Sequence, residues 1–293
     1  MICFQSMSKM PVTVSVINLK GGVGKTTVTA LLAYHAAHEW GLDVLVVDMD
    51  PQANLSQALM TENDYQLLMD GEGNSIVELF DGYAPPSPQD PSPRPLDKSI
   101  IKNIWTGSAR GNLDVIPSRF DFSDNLVRAS RHLDEKVLAK YIAGYMQHKD
   151  LILIDCAPTE SVLTRASYHA SRYVLIPVKT EFFSTIGFPL LKKSLDDFRG
   201  NNHGHAIDVC GIVVHTTKTS GSARSKDGRD SLEDIVEKAD DYGWDIFENR
   251  MEHSDGYPKM ARDPGGPYMG NARREWPKIA DEILAKIGLA KKP

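Results

Sequence analysis

Several short segments of this chain are apolar without interruption, and each stops at glycine or charged residues. Asp43-Val44-Leu45-Val46-Val47-Asp48, Leu151-Ile152-Leu153-Ile154, Tyr173-Val174-Leu175-Ile176-Pro177-Val178 and Val209-Cys210-Gly211-Ile212-Val213-Val214 do not alternate. Continuous runs of this length are the pattern of strands covered on both faces of a parallel sheet. Pro11 to Asn18 and Leu113 to Pro117 predict two more strands, and Trp244 to Phe247 another. Between them lie segments of helical period: Thr26 to Trp40, Asp134 to His148, a stretch ending at Phe198, Leu232 to Tyr242, a short one around Tyr257 to Ala261, and Glu275 to Ile287. Strands alternating with helices predict an α/β fold, a doubly wound, mostly parallel sheet with helices on both faces.

The pattern loosens from residue 61 to residue 112. Ser75 to Phe80 predicts a short helix, and the proline-rich run from Ala84 to Pro95 cannot build regular structure, so this region reads as a surface excursion. With 293 residues and 41% hydrophobic positions, the rest fits one domain over residues 11–293. Residues 1–10 carry no long apolar run after a basic start, which excludes a signal peptide or membrane span there; a disordered leader and a cytoplasmic protein are expected. No internal repeat appears.

Composition narrows the chemistry. The formal net charge of −6 gives no global basic field, so any nucleic-acid contact must come from a local patch. The three cysteines, Cys3, Cys156 and Cys210, form no C-x-x-C pair, which excludes a zinc ribbon, argues for a reducing compartment and weighs against an iron–sulfur carrier. His35, His38, His132 and His148 show no metal-ligand spacing.

The candidate chemistry sits at strand ends. Lys20-Gly21-Gly22-Val23-Gly24-Lys25-Thr26-Thr27 follows the first strand and opens the first helix. Gly21, Gly22 and Gly24 let the backbone curl so that its N–H groups face an anion, and the helix adds its positive end. Lys25 then reaches the β- and γ-phosphates of a nucleoside triphosphate and Thr26 offers a hydroxyl to Mg²⁺. Asp48 and Asp50 end the Asp43 strand, and Asp155 ends the Leu151 strand, where ligands bind in open α/β sheets. The generic phosphate-loop pattern places glycine five positions before Gly24; Leu19 stands there instead.

In place of that glycine, the loop resembles the variant phosphate loop of the ParA/MinD family of ATPases, in which a lysine, here Lys20, precedes the glycines. Asp48-x-Asp50-Pro51-Gln52 resembles the ParA branch, while Pro158 three residues after Asp155 and the stretch from Tyr173 to Thr185 resemble the family as a whole. The resemblance is sharp over Val14 to Asn54, fair at the two later segments, and only a drift of pattern elsewhere. It implies ATP and Mg²⁺ as cofactors, with Lys20, Gly21, Gly22, Val23, Gly24, Lys25, Thr26 and Thr27 holding the nucleotide. Thr26, Asp48 and Asp155 would attend the metal. Asp50 would position or activate the attacking water, and Lys20 would act on the nucleotide of a facing subunit.

The same resemblance implies an ATP hydrolase that closes into a homodimer on ATP, binds DNA nonspecifically, and is reset by a ParB-like or other stimulating partner, partitioning or positioning a cargo at the nucleoid. Two basic clusters are the candidate DNA contacts, Arg224, Lys226 and Arg229 in one loop and Arg273, Arg274 and Lys278 near the last helix. Two alternatives belong to other classes. A MinD-like membrane switch needs a basic amphipathic tail, and the last helix does place Ile279, Ile283, Leu284 and Ile287 on one face, although with Glu275, Asp281 and Glu282 it is expected to dock on the sheet. A metabolic enzyme that phosphorylates a small carboxylate needs a substrate pocket facing the γ-phosphate, and the sequence shows no dedicated set of residues for one.

Overall fold

The computed structural model describes residues 10–71, 75–82, 101–102, 104, 111–120, 122, 134–181, 185–216, 226–263 and 271–292. Residues 1–9 of the expected leader and the proline-rich run lie outside these residues.

The element order is β1 (Val12–Val16), α1 (Lys25–His38), β2 (Asp43–Met49), α2 (Asn54–Leu59), α3 (Glu62–Met69), α4 (Ile76–Gly82), β3 (Ile101–Lys102), β4 (Asn112–Ile116), α5 (Val137–Tyr145), β5 (Leu151–Cys156), α6 (Val162–Ala170), β6 (Tyr173–Lys179), α7 (Phe188–Asn201), β7 (Asp208–His215), α8 (Lys226–Tyr242), α9 (Gly256–Arg262) and α10 (Asn271–Lys286). The strands form one sheet in the order β3-β4-β2-β5-β1-β6-β7. Every pairing is parallel except that of the edge strand β3 with β4. The doubly wound, mostly parallel sheet expected from the unbroken apolar runs is present.

Two apolar layers show why those runs are continuous. Side chains such as Val14, Val16, Val44, Val46, Leu151 and Leu153 pack with α1, α9 and α10 on one face. Their neighbours in sequence, Ile17, Leu45, Val47, Ile152 and Ile154, pack with α4 to α8 on the other. A strand buried on both sides has no polar face to alternate with.

The last helix belongs to the first layer. Ile279, Ile283 and Leu284 are fully buried and Ile287 is 3% exposed, while Trp276 donates its indole N–H to the Leu31 carbonyl of α1. Asp281 accepts hydrogen bonds from His35 and Trp40. The apolar face of the tail is therefore spent on the protein itself, as expected of a docked helix.

One predicted strand is not formed. Trp244 to Phe247 makes only an isolated bridge, Ile212 to Ile246, beside β7. Just beyond it Glu248 N–H and Asn249 N–H donate to the Glu282 carboxylate at 2.7 and 3.0 Å, and pairing with β7 resumes only at a second isolated bridge, His215 to Met251. The region after residue 53 also holds two helices that the periodicity did not announce, α2 and α3, the latter capped by the Thr61 hydroxyl, which accepts from Asp64 N–H.

Candidate nucleotide site

β1, β2 and β5 are adjacent, so the phosphate loop and both carboxylate-bearing strand ends meet at one edge of the sheet. Register sharpens this: Asp48 and Asp155 are directly paired across β2 and β5.

The loop has the backbone its sequence requires. Gly22 and Gly24 take φ of 73° and 98°, values open to glycine at little cost. Gly24 is the N-cap of α1, and no acidic residue occupies the first turn of that helix. Its positive end is thus left for an anion. Lys25 is buried, and its ammonium donates to the backbone carbonyls of Asn18 and Lys20 at 3.1 and 3.2 Å. Burial lowers its pKa, opposed by the charges of Asp155, Cys156 and Asp50. Asn18 braces the loop, accepting Lys20 N–H on Oδ1 and donating Nδ2 to the Pro177 carbonyl of β6.

Beneath the loop lie three carboxylates. Thr26 Oγ1 donates to Asp155 Oδ2 at 2.7 Å, and Asp155 Oδ1 is buried without a hydrogen-bond partner among the described residues. Burial, with the neighbouring Asp48 charge, holds the Asp155 carboxyl well above the usual carboxylate range, opposed by the Thr26 hydroxyl and Lys25. Asp48 is fully buried, and burial pushes it up to about 6, against hydrogen bonds from Ser56 and Asp50. Asp50 is 8% exposed and its Oδ1 accepts Gln52 N–H.

This arrangement fits a magnesium ion shared with phosphates. The donor set, a hydroxyl and carboxylates, is hard oxygen, and the orphaned Asp155 oxygen and the crowded buried charges are a deficit that a divalent cation offsets. Among the described residues no three His, Cys, Asp or Glu side chains converge to hold a metal alone. Magnesium in such sites completes its shell with water and phosphate oxygens.

A cleft of about 430 Å³ opens above the loop. Gly21, Gly22, Gly24, Lys25, Thr26, Thr27 and Asp50 line it, together with Gln52, Asn54 and Pro158. Asp48 and Asp155 lie below its floor, and Val23 turns into the core at 1% exposure. Lys20 does not line the cleft; its ammonium lies 3.5 Å from Glu181 Oε2.

The far wall of the cleft, Lys179, His215, Met251, Tyr257, Pro258, Ala261 and Arg262, was missed by sequence reasoning except for Lys179. These residues come from the end of β6, the end of β7, the segment between α8 and α9 that holds Met251, and α9, with no local motif to join them. Both ring nitrogens of His215 are buried without hydrogen bonds among the described residues. Tyr257 donates its hydroxyl to Glu275 Oε2 at 2.6 Å, linking this wall to α10.

The basic candidates divide. Arg273, Arg274 and Lys278 are exposed on α10. Lys226 and Arg229 lie in the first turns of α8 with side chains outside the described residues, and Arg224 lies outside them altogether.

Comparison with known proteins gives consistent matches. The profile of a family described as an AAA domain matches residues 12–206. An uncharacterized protein of Mycobacterium tuberculosis is 31% identical over 238 residues, 81% of this chain and 67% of that one. Chromosome-partitioning ATPase Soj of Treponema pallidum is 27% identical over 283 residues, 94% of this chain and 98% of that one. Among solved structures, an ATP complex of a Cyanothece McdA variant superposes with a TM-score of 0.75 at 18% identity, covering 97% of this chain and 99% of that one. Cobyrinic acid a,c-diamide synthase of Mycobacterium smegmatis, with ADP and magnesium, gives 0.68 at 21% identity, covering 97% and 98%. At such identities the two structures speak to the fold alone.

Proposed function

This chain belongs to the ParA/MinD-type phosphate-loop ATPases, and from that premise we propose that it hydrolyses ATP with Mg²⁺ as an assembly switch of the ParA kind. In that switch ATP closes two copies into a dimer, the dimer holds DNA nonspecifically, and a ParB-like or other partner stimulates hydrolysis to release it. The observation that carries the reading is the convergence of Lys25, Thr26 and Asp50 at one cleft with Asp155 beneath it, and Lys20 beside the cleft and outside it.

The residues act as a set. Loop N–H groups and the Lys25 ammonium bind the phosphates, Lys25 exchanging two backbone carbonyls for a stronger, charged acceptor. The Thr26 hydroxyl and Asp155, with Asp48 behind them, would hold the metal. Mg²⁺, when bound, neutralises charge on the β- and γ-phosphate oxygens. Asp50, at the strand end and lining the cleft, orients the attacking water and accepts its proton. The wall that includes His215, Met251, Tyr257 and Pro258 offers the base of the nucleotide a largely apolar surface.

DNA binding rests on the exposed Arg273, Arg274 and Lys278, and on Arg224, Lys226 and Arg229 in the region before and within α8. A net charge of −6 makes a single patch weak, and two copies side by side double its phosphate contacts. The sequence relatives favour this reading over a biosynthetic synthase, whose resemblance is one of fold. The apolar face of α10, on which a membrane switch would draw, is buried in the protein, and no described helix is long and apolar enough to cross a membrane.

The test is phosphate release from ATP by the purified protein. Mg²⁺-dependent turnover that Lys25→Ala abolishes supports the proposal; no turnover with any partner or DNA present contradicts it.

A further inference from the structure

We propose that Ser56 is a positioning residue for the hydrolysis reaction, fixing the Asp48 carboxylate and through it the backbone that carries Asp50. The inference rests on the hydrolysis reading above.

Ser56 is fully buried on α2. Its hydroxyl donates to Asp48 Oδ2 at 2.7 Å and its own N–H donates to the same oxygen at 2.9 Å. The hydroxyl oxygen in turn accepts Ser118 N–H at 2.8 Å. The other Asp48 oxygen, Oδ1, accepts Asp50 N–H at 3.1 Å. A continuous buried path therefore runs from the chain just after β4, through Ser56 and Asp48, to Asp50. Its outer end is also tied down: Ile76 N–H donates to the Pro117 carbonyl at 2.8 Å, and Arg119 lies 3.0 Å from Glu78.

The physical need for such a device is plain. Asp48 and Asp155 face each other on paired strands with no exposed surface to dissipate their charge, and a buried carboxylate keeps one orientation only when donors hold it. One oxygen atom, Ser56 Oγ, serves both sides of the path. Removing it takes a donor from Asp48 and leaves Ser118 N–H buried without its acceptor, two losses from one substitution. Ser56 does not line the cleft, so its effect falls on the placement of Asp48 and Asp50 and not on the affinity for metal-free nucleotide.

Steady-state turnover, binding of a fluorescent ATP analogue and amide hydrogen exchange are measured for wild type, Ser56→Ala, Ser56→Cys and Ser56→Thr. Ser56→Ala is expected to lower kcat by about 10- to 100-fold, the usual loss for an outer partner of a site ligand, with analogue affinity in EDTA within about twofold of wild type and faster exchange at Asp50 and Ser118. Ser56→Thr keeps the hydroxyl and restores most of kcat; Ser56→Cys, a weaker donor of similar size, falls between. In an Asp50→Ala background Ser56→Ala adds no further loss. Unchanged kcat in Ser56→Ala, equal losses of kcat and of affinity in EDTA, or a threonine variant no better than alanine overturns the assignment. If Ser56→Ala does not fold, the order of the cysteine and threonine variants decides. Wild type that releases no phosphate sinks the hydrolysis reading and this inference together, whereas normal wild-type turnover with an unaffected Ser56→Ala sinks this inference alone.

Discussion

Thr26 in the first turn of α1 donates its hydroxyl to Asp155 Oδ2 at the end of β5, a 2.7 Å bond between residues 129 positions apart. It places a hydroxyl of the phosphate loop against a buried carboxylate whose other oxygen has no hydrogen-bond partner among the described residues. Thr26→Ala is therefore expected to weaken Mg-nucleotide affinity by about 10- to 100-fold while leaving affinity in EDTA unchanged. Titration of a fluorescent ATP analogue with and without Mg²⁺ checks this; equal weakening in both conditions contradicts it.

Asp50 lines the cleft while Asp48 and Asp155 lie beneath it, so its removal should strike turnover alone. Asp50→Ala is expected to bind ATP as wild type does and to lose about 10²- to 10⁴-fold in turnover, the range for a positioned acid–base group. A variant that hydrolyses at the wild-type rate, or that no longer binds ATP, shows the role to be assigned wrongly.

On DNA, the exposed arginines of α10 make a reversible prediction. Asp50→Ala with Mg-ATP should shift random-sequence duplex DNA at low salt, with affinity falling steeply as salt rises. Adding Arg273→Glu and Arg274→Glu should abolish the shift without affecting dimerisation. No shift at any salt or nucleotide state would remove DNA from the account.

His215 offers a stability test independent of nucleotide. Burial lowers its pKa to about 4, with Lys179 and His253 adding, against about 6.5 in an unfolded chain. Its contribution is fully present above pH about 6.5 and is lost as pH falls through that value toward 4, because the unfolded chain takes the proton first. The loss is roughly 3 kcal/mol at most. Thermal midpoints of wild type and His215→Asn across this window should converge toward acid; parallel curves would show that His215 does not titrate as described.

The parts of the fold and site that were legible in the sequence are those set locally. The loop from Lys20 to Thr27 and the carboxylates Asp48, Asp50 and Asp155 were readable because each is set by its own strand end, and a parallel sheet gathers such ends at one edge. The wall of His215, Met251 and Tyr257 was not, because its three segments share no motif and meet only after β7 takes its place at the sheet edge. Ser56 escaped for the same reason: its partner Ser118 is far along the chain. Trp244 to Phe247 was misread because four residues of apolar character do not show that Glu282, more than thirty positions away, accepts Asn249 N–H and that β7 meets this segment only at two isolated bridges. α10 was placed correctly since its acidic residues argued for docking, and Glu282 and Glu275 now have named partners.

The central claim is an ATP-driven switch between copies, and Lys20 tests it most directly. Its ammonium sits beside Glu181, outside the cleft of its own chain, where a cation can serve a facing subunit much as an arginine finger does. Light scattering of Asp50→Ala is expected to show a dimer with Mg-ATP and a monomer with Mg-ADP, and Lys20→Ala in that background to weaken the dimer. A mass that stays monomeric in ATP, or a dimer indifferent to both nucleotide and Lys20, would contradict the account.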